Sequence, residues 1–144
     1  MNGWLVDTNV ISELRKPRPE NQVVSFIANE PLDRLYISTV TFAEIRFGIE
    51  RLDDAPRRAR IAAWLENEMR PLFDNRVLAL SEDILLQWRM IIEEGRKTGY
   101  TFSHPDVLIA ATAAHFGLTV VSRNTREFVA ASVRIFNPWT GETA

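Results

Sequence analysis

A chain of 144 residues with a formal charge of −2 and no cysteine is long enough for one domain to bury a core without covalent staples, and leaves little room for a second. The lack of cysteine removes disulfides, thiolate nucleophiles and zinc–thiolate sites together and fits a reducing, cytoplasmic setting. The near-neutral charge excludes the broad basic footprint of a tight non-specific nucleic-acid binder, and no window reaches the roughly 20 apolar residues of a membrane span.

The first element is the run Trp4–Asp7, a strand that ends in a carboxylate followed by Thr8 and Asn9. A helical stretch follows and is broken by Arg15–Glu20, "RKPRPE", before a second helix. A second strand is expected at Leu35–Ser38, with Glu44 just beyond it in "YISTVTFAEI". The segment "APRRARIAAWLENEMRPLF" reads as one helix, opened by a proline in its first turn and carrying Ile61, Leu65 and Met69 at four-residue spacing. Its arginines, Arg57, Arg58 and Arg60, read as a solvated face.

A third strand is expected at Val77–Leu80. In "SEDILLQWRMIIEEGRKTG", Ile84, Trp88, Ile91 and Gly95 share one stripe of an amphipathic helix. The helix in "PDVLIAATAAHFG" is apolar or small from Val107 to Ala114 and should be buried on most sides, within the domain or against a second chain. Strands at Thr119–Ser122 and Val133–Phe136 complete five. Strands alternating with helices predict an α/β fold, a single domain over 1–144 with a five-stranded, mostly parallel sheet flanked by helices.

In such a sheet ligands bind beyond the carboxyl ends of the strands. Asp7 lies at such an end, Glu44 follows the second strand, and Asp106 opens the buried helix, so three acids from separate segments arrive at one edge. Each has a structural explanation of its own. Thr41 to Glu44 and Ser103 to Asp106 both have capping-box spacing, and Asp7 could serve a turn. Their coincidence points instead to a shared site. Clustered carboxylates repel and pay for desolvation, a cost that a divalent cation removes. Hard oxygen donors without cysteine or a histidine partner suit Mg²⁺ or Mn²⁺, whose coordinated waters can attack a phosphodiester.

At this point the chain resembles the PIN-domain ribonucleases, and among them the VapC/FitB-type toxins of bacterial toxin–antitoxin pairs. The matching stretches are "LVDTNVISEL", "ISTVTFAEIRFGI", "PDVLIAATAAHFGLTVVSRNTREF" and "FNPW". The resemblance implies a Mg²⁺-dependent endoribonuclease that acts on RNA, leaves a 5′-phosphate and a 3′-hydroxyl, forms a homodimer and is inhibited by a small cognate antitoxin. It makes Asp7 and Asp106 the principal metal ligands and Glu44 a ligand through water, or a base for the attacking water. Thr8, Asn9 and Ser122 become hydrogen-bonding supports of those ligands. A fourth acid is usual where Asn124 stands here. An asparagine can coordinate weakly through its carbonyl but brings no charge, and Glu127 reads as a surface helix residue. Arg46, Arg123 and Arg126 are candidates for contact with RNA phosphates, and His104 is a candidate proton shuttle that the metal mechanism does not need.

Two other Mg²⁺-using α/β classes fit less well. A phospho-accepting receiver domain would show adjacent acids after the first strand and a late lysine, and a haloacid-dehalogenase-type phosphatase would carry an acid at position 9; Asn9 stands there and no lysine follows Lys97. The remaining alternative is a catalytically weak PIN-like module that binds RNA or a protein partner.

Overall fold

The computed structural model describes residues 2–144, so Met1 of the expected 1–144 domain lies outside the described residues. Five strands run parallel: β1 (Trp4–Val6), β2 (Leu35–Ser38), β3 (Val77–Leu78), β4 (Thr119–Val121) and β5 (Ile135–Asn137). A sixth, β6 (Glu142–Thr143), pairs antiparallel with β5, giving the order β3-β2-β1-β4-β5-β6. The expectation of five strands missed β6, a polar pair of residues without alternation. It forms because Gly141 N–H donates to the Asn137 carbonyl at 2.8 Å, closing a hairpin that Ala144 seals with two bonds to Ile135.

Side chains alternate across the strands, and the register makes that alternation build two cores. Val6 pairs with Val121 on one face, while Leu5 pairs with Val120 on the other. The Val6 face is covered by α1 (Thr8–Arg15), α2 (Asn21–Asn29), α3 (Thr39–Glu50) and α4 (Ala55–Trp64). The Leu5 face is covered by α6 (Glu82–Lys97), α7 (His104–Phe116) and α8 (Thr125–Ala130), and a short α5 (Arg70–Leu72) precedes β3.

The apolar stripe expected on α6 is present. Ile84, Ile91 and Gly95 are buried, and Gly95 is required because a Cβ there would stand 2.5 Å from the Phe102 ring. The expected single helix after Asp54 is continuous but widens into a π-turn over Leu65–Met69. Apolar residues spaced by fours drift around a 3.6-residue helix; the wider turn offsets that drift, so Leu65 and Met69 are both buried. Helix α7 is buried from Ile109 to Ala113 and packs mainly on α6. Among the described residues no helix is long and apolar enough to cross a membrane.

The chain winds outward from β1 through β2 to β3, then returns to lay β4 on the other side of β1. The connections leaving the carboxyl ends of β1 and β4 therefore diverge. A crevice opens there, as at the switch point of any doubly wound sheet.

Candidate active site

Asp7 caps α1 at the mouth of that crevice. Its backbone N–H donates to Val121 O at 3.0 Å, pinning the end of β1 to β4. Its carboxylate is 4 % exposed; Oδ1 accepts from Thr8 N–H at 2.8 Å and Oδ2 from the Ser122 hydroxyl at 2.7 Å. Both partners are neutral. Burial pushes the Asp7 pKa up to about 6, the Ser122 hydrogen bond pulls it down, and the negative charge of Asp106 pushes it up again.

Ser122 fixes that arrangement. A hydroxyl has one proton and two lone pairs, and Ser122 also accepts from Asn9 Nδ2 at 2.9 Å and Asn124 N–H at 3.0 Å. With both lone pairs occupied, its proton is directed at Asp7. Asn9 in turn accepts from Arg123 N–H at 3.3 Å, so the loop after β4 is tied to α1 by side chains at both ends. Of the three residues expected to support the acids, Thr8, through its backbone, and Ser122 hydrogen-bond Asp7 directly, and Asn9 reaches it only through Ser122.

Asp106 lies in the first turn of α7, half-buried, where a capping box would have it accept from the Ser103 N–H. That N–H goes instead to Glu127 Oε1 at 2.6 Å, and Glu127 Oε2 accepts from the Tyr100 hydroxyl at 3.0 Å. Glu127 is therefore not the surface helix residue expected; it clamps the loop leading into α7. The reciprocal backbone bond of a capping box is therefore not made, and Asp106 Oδ2 accepts from Asn124 Nδ2 at 2.5 Å. Burial raises its pKa, the Ser103 side-chain hydrogen bond pulls it down, the charge of Glu127 pushes it up, and the Asn124 hydrogen bond and the Glu44 charge follow in opposite directions. Asn124 meets the site through its amide N–H, a neutral donor where an acid would have added repulsion. That arrangement differs from carbonyl coordination.

Glu44 lies inside α3, because the cap of that helix is Ser38, whose hydroxyl accepts from Val40 N–H at 3.0 Å. A capping box at Thr41 is ruled out, and the exposed carboxylate of Glu44 is left to face the crevice. Asp7, Glu44 and Asp106 line one open cleft of about 500 Å³ with Asn9, Glu13, Lys16, Arg123 and Trp139. Among the described residues no three His, Asp or Glu side chains form a ready-made metal cage. The donor chemistry fits a hard cation nonetheless: Mg²⁺ usually takes one or two carboxylates and keeps several waters, and Asp7 and Asp106 are two carboxylates whose mutual repulsion a cation would relieve.

Residues 4–133 match the PIN domain family. The chain belongs to it. Toxin FitB of Neisseria gonorrhoeae is 37 % identical, with 94 % of this chain and 97 % of the relative covered. VapC ribonuclease Y4jK of Sinorhizobium fredii is 36 % identical over 94 % of this chain and 96 % of its own. The crystal structure of FitAcB from Neisseria gonorrhoeae superposes with a TM-score of 0.89 at 37 % identity, covering 94 % of this chain and 98 % of that one.

Within this PIN domain, not every expected residue reaches the cleft. Arg46 lines a separate groove with Phe42, Arg70 and Val77, because residues two apart on a helix point nearly opposite ways and Glu44 holds the cleft side. Arg126 is exposed on α8 outside the cleft, and His104 turns toward the Trp88 ring, 6.3 Å between centroids. Five lining residues were not among the expected site residues: Ser12, Glu13, Lys16, Pro105 and Trp139. Glu13 had a signal, since it follows Asn9 by one helical turn and so shares its face; Trp139 ends the resembling stretch "FNPW", but nothing local places it at the cleft, because only the β5–β6 hairpin brings it back.

Proposed function

We propose that this PIN domain is a Mg²⁺- or Mn²⁺-dependent endoribonuclease acting as the toxin of a toxin–antitoxin pair. The observation that carries the reading is Asp7: a buried carboxylate with its pKa pushed up, repelled by Asp106, and held only by neutral donors. Natural cores pair a buried acid with a cation; this one faces an open cleft and supplies a place for an external cation.

Asp7 and Asp106 would hold the ion, with Glu44 reaching it directly or through water. When bound, the ion activates water and offsets the charge that develops on the phosphate in the transition state. Ser122, Thr8 and Asn9 keep the Asp7 oxygens aimed into the cleft, and Asn124 does the same for Asp106. Glu44, exposed and unengaged by any hydrogen bond among the described residues, is placed to orient the attacking water and take its proton; the P–O3′ bond breaks and the departing 3′-oxygen takes a proton from solvent, leaving a 5′-phosphate and a 3′-hydroxyl. RNA suits an open cleft of this kind, where a single strand can be splayed across the surface.

A toxin needs a neutralising partner. A groove between α1, α3 and α4, lined by Arg15, Ile45, Leu52 and Arg57, shares Thr8, Ser12 and Glu44 with the cleft and fits a short segment of a small antitoxin. Exposed Leu86 and Met90, one turn apart on α6, are suited to a second copy of the chain. A cytoplasmic setting agrees with the cysteine-free sequence.

The test is cleavage of a panel of structured RNAs with Mg²⁺, with Mn²⁺ and with chelator. Supports of metal ligands are worth ten- to a hundredfold in activity, so losing a ligand through Asp106→Asn should lower cutting by more than about a hundredfold. Equal traces of cutting by wild type and variant would leave the weak binding-module reading in its place, whereas cutting that survives the chelator but is lost in Asp106→Asn would overturn the metal dependence alone.

A further inference from the structure

The cleft has two cations on its wall, Lys16 and Arg123, and they differ in what holds them. Lys16 Nζ is engaged by Glu13 Oε1 at 2.9 Å. Among the described residues the Arg123 guanidinium makes no hydrogen bond or ion pair with a protein acceptor. It lies over the Trp139 ring, with Cζ 4.2 Å from the ring centroid.

Both members of that stack are positioned by their backbones. Arg123 N–H donates to Asn9 Oδ1 at 3.3 Å, and its carbonyl accepts from Thr125 N–H at 2.9 Å. Trp139 N–H donates to Oδ1 of the buried Asn137 at 2.9 Å, and its ring packs against the core on the Val6 face. The indole Nε1 is buried and has no partner among the described residues, so Trp139 contributes here through its ring face.

A strand of RNA brings one negative charge per nucleotide toward a cleft that already holds Asp7, Glu44 and Asp106. A cation bound by those acids can offset the charge at the scissile phosphate; a neighbouring phosphate needs a counter-charge of its own. A guanidinium offers a planar fork that matches phosphate oxygens in pairs, and one already laid on an aromatic ring loses less freedom in making those bonds. We propose that Arg123, supported by Trp139, is the phosphate clamp of this cleft, a positioning residue that grips single-stranded RNA beside the phosphate presented to the acids. The inference rests on the ribonuclease reading above and deepens it. A phosphate contact carries no base information, so the clamp sets where the strand lies and leaves selectivity to other surfaces.

The experiment uses a fluorescein-labelled single-stranded RNA of mixed sequence. Binding is read by anisotropy against salt in an Asp106→Asn background, so that the strand survives, and cleavage is read with Mg²⁺ in the otherwise native chain. Arg123→Ala should weaken binding about tenfold, the loss of one charged hydrogen-bonding group, and lower the slope of log K against log salt by about 0.7, the value for one phosphate contact on a single strand. In cleavage it should raise KM by a similar factor with a much smaller change in kcat. Arg123→Lys should restore the slope and part of the affinity, and Trp139→Phe should stay near the parent. Arg60→Ala, the same charge change on the exposed face of α4, should alter neither quantity; thermal melts confirm that each variant folds. If Arg123→Ala matches its parent in affinity, slope and KM while both bind and cut RNA, the clamp is overturned and the ribonuclease reading stands. If no form, parent included, binds or cuts RNA, the ribonuclease reading fails and the clamp fails with it.

Discussion

Helix α1 carries a buried acid at each end, and the two are treated in opposite ways. Glu13, near the carboxyl end, is 3 % exposed and fully served: Lys16 Nζ meets Oε1 at 2.9 Å and Glu20 N–H meets Oε2 at 3.0 Å. The ion pair with Lys16 first, and the Glu20 hydrogen bond second, hold its carboxyl below the usual glutamate range. Asp7, at the amino end, is equally buried and has no cation within ion-pair reach among the described residues; its pKa is pushed up. One acid clamps the "KPRPE" bend between α1 and α2 and finishes its chemistry inside the chain. The other is left in want of a positive charge, and that difference separates a structural acid from a working one.

The largest effect expected from breaking this contrast is in pH dependence. A carboxyl whose native pKa lies above its unfolded value binds a proton on folding at pH values between the two, so its contribution to stability falls as pH rises through that window. For Asp7, between an ordinary value of about 4 and about 6, this amounts to about 3 kcal/mol lost by pH 7. Asn does not titrate. Melts of wild type and Asp7→Asn from pH 4 to pH 7 should therefore diverge in favour of the variant as pH rises, whatever constant offset the amide brings. Mg²⁺ should narrow the gap by stabilising wild type alone, because a ligand that binds only the native state raises its melting temperature. A gap independent of pH would mean that Asp7 is no longer a strained acid.

A smaller effect follows from removing the group that aims Asp7. Ser122→Ala deletes the proton directed at Oδ2 and the acceptor used by Asn9 and Asn124. It should lower Mg²⁺ affinity or cleavage about ten- to a hundredfold, measured by metal titration of the cleavage rate. Ser122→Thr keeps the hydroxyl and should recover most of that loss.

These two ends of α1 also show what the sequence can and cannot disclose. Asp7 and Asp106 were legible because each interrupts an apolar pattern at a strand end or a helix start, where sheet geometry already predicts a site. The strands were legible within a residue or two because a sheet covered on both faces leaves short, almost continuously buried runs at β1, β2 and β4. Glu13 shares a helix face with Asn9, but its burial depends on the fold of the bend that supplies Lys16 and Glu20. Glu127 and Trp139 depend on contacts with segments far along the chain, Glu127 on Tyr100 and Ser103, Trp139 on Arg123. Nothing periodic marks a residue whose partners are long-range and polar. Arg46 misled for the opposite reason: closeness in sequence to Glu44 on a helix places it on the far side.

The smallest effect is the most discriminating, because it applies to Glu13 the same chemical change that disables Asp7. Glu13→Gln keeps an oxygen for the Glu20 N–H and loses the ion pair with Lys16, whose side chain is 54 % exposed. Exposed partners are well screened by water, and such pairs contribute little, so the melting temperature should drop by a few degrees at most. Because the native pKa of Glu13 is depressed, its contribution is present at neutral pH and is lost as pH falls through the native value. The deficit of Glu13→Gln should thus shrink on acidification, the reverse of the trend for Asp7→Asn, which gains relative to wild type as pH rises. RNA cleavage should change little, since Glu13 lines the cleft with its oxygens already turned to Lys16 and Glu20. A large loss of cutting in Glu13→Gln without loss of stability would place Glu13 among the working acids, and the distinction drawn between the two ends of α1 would have to be redrawn around the whole cleft.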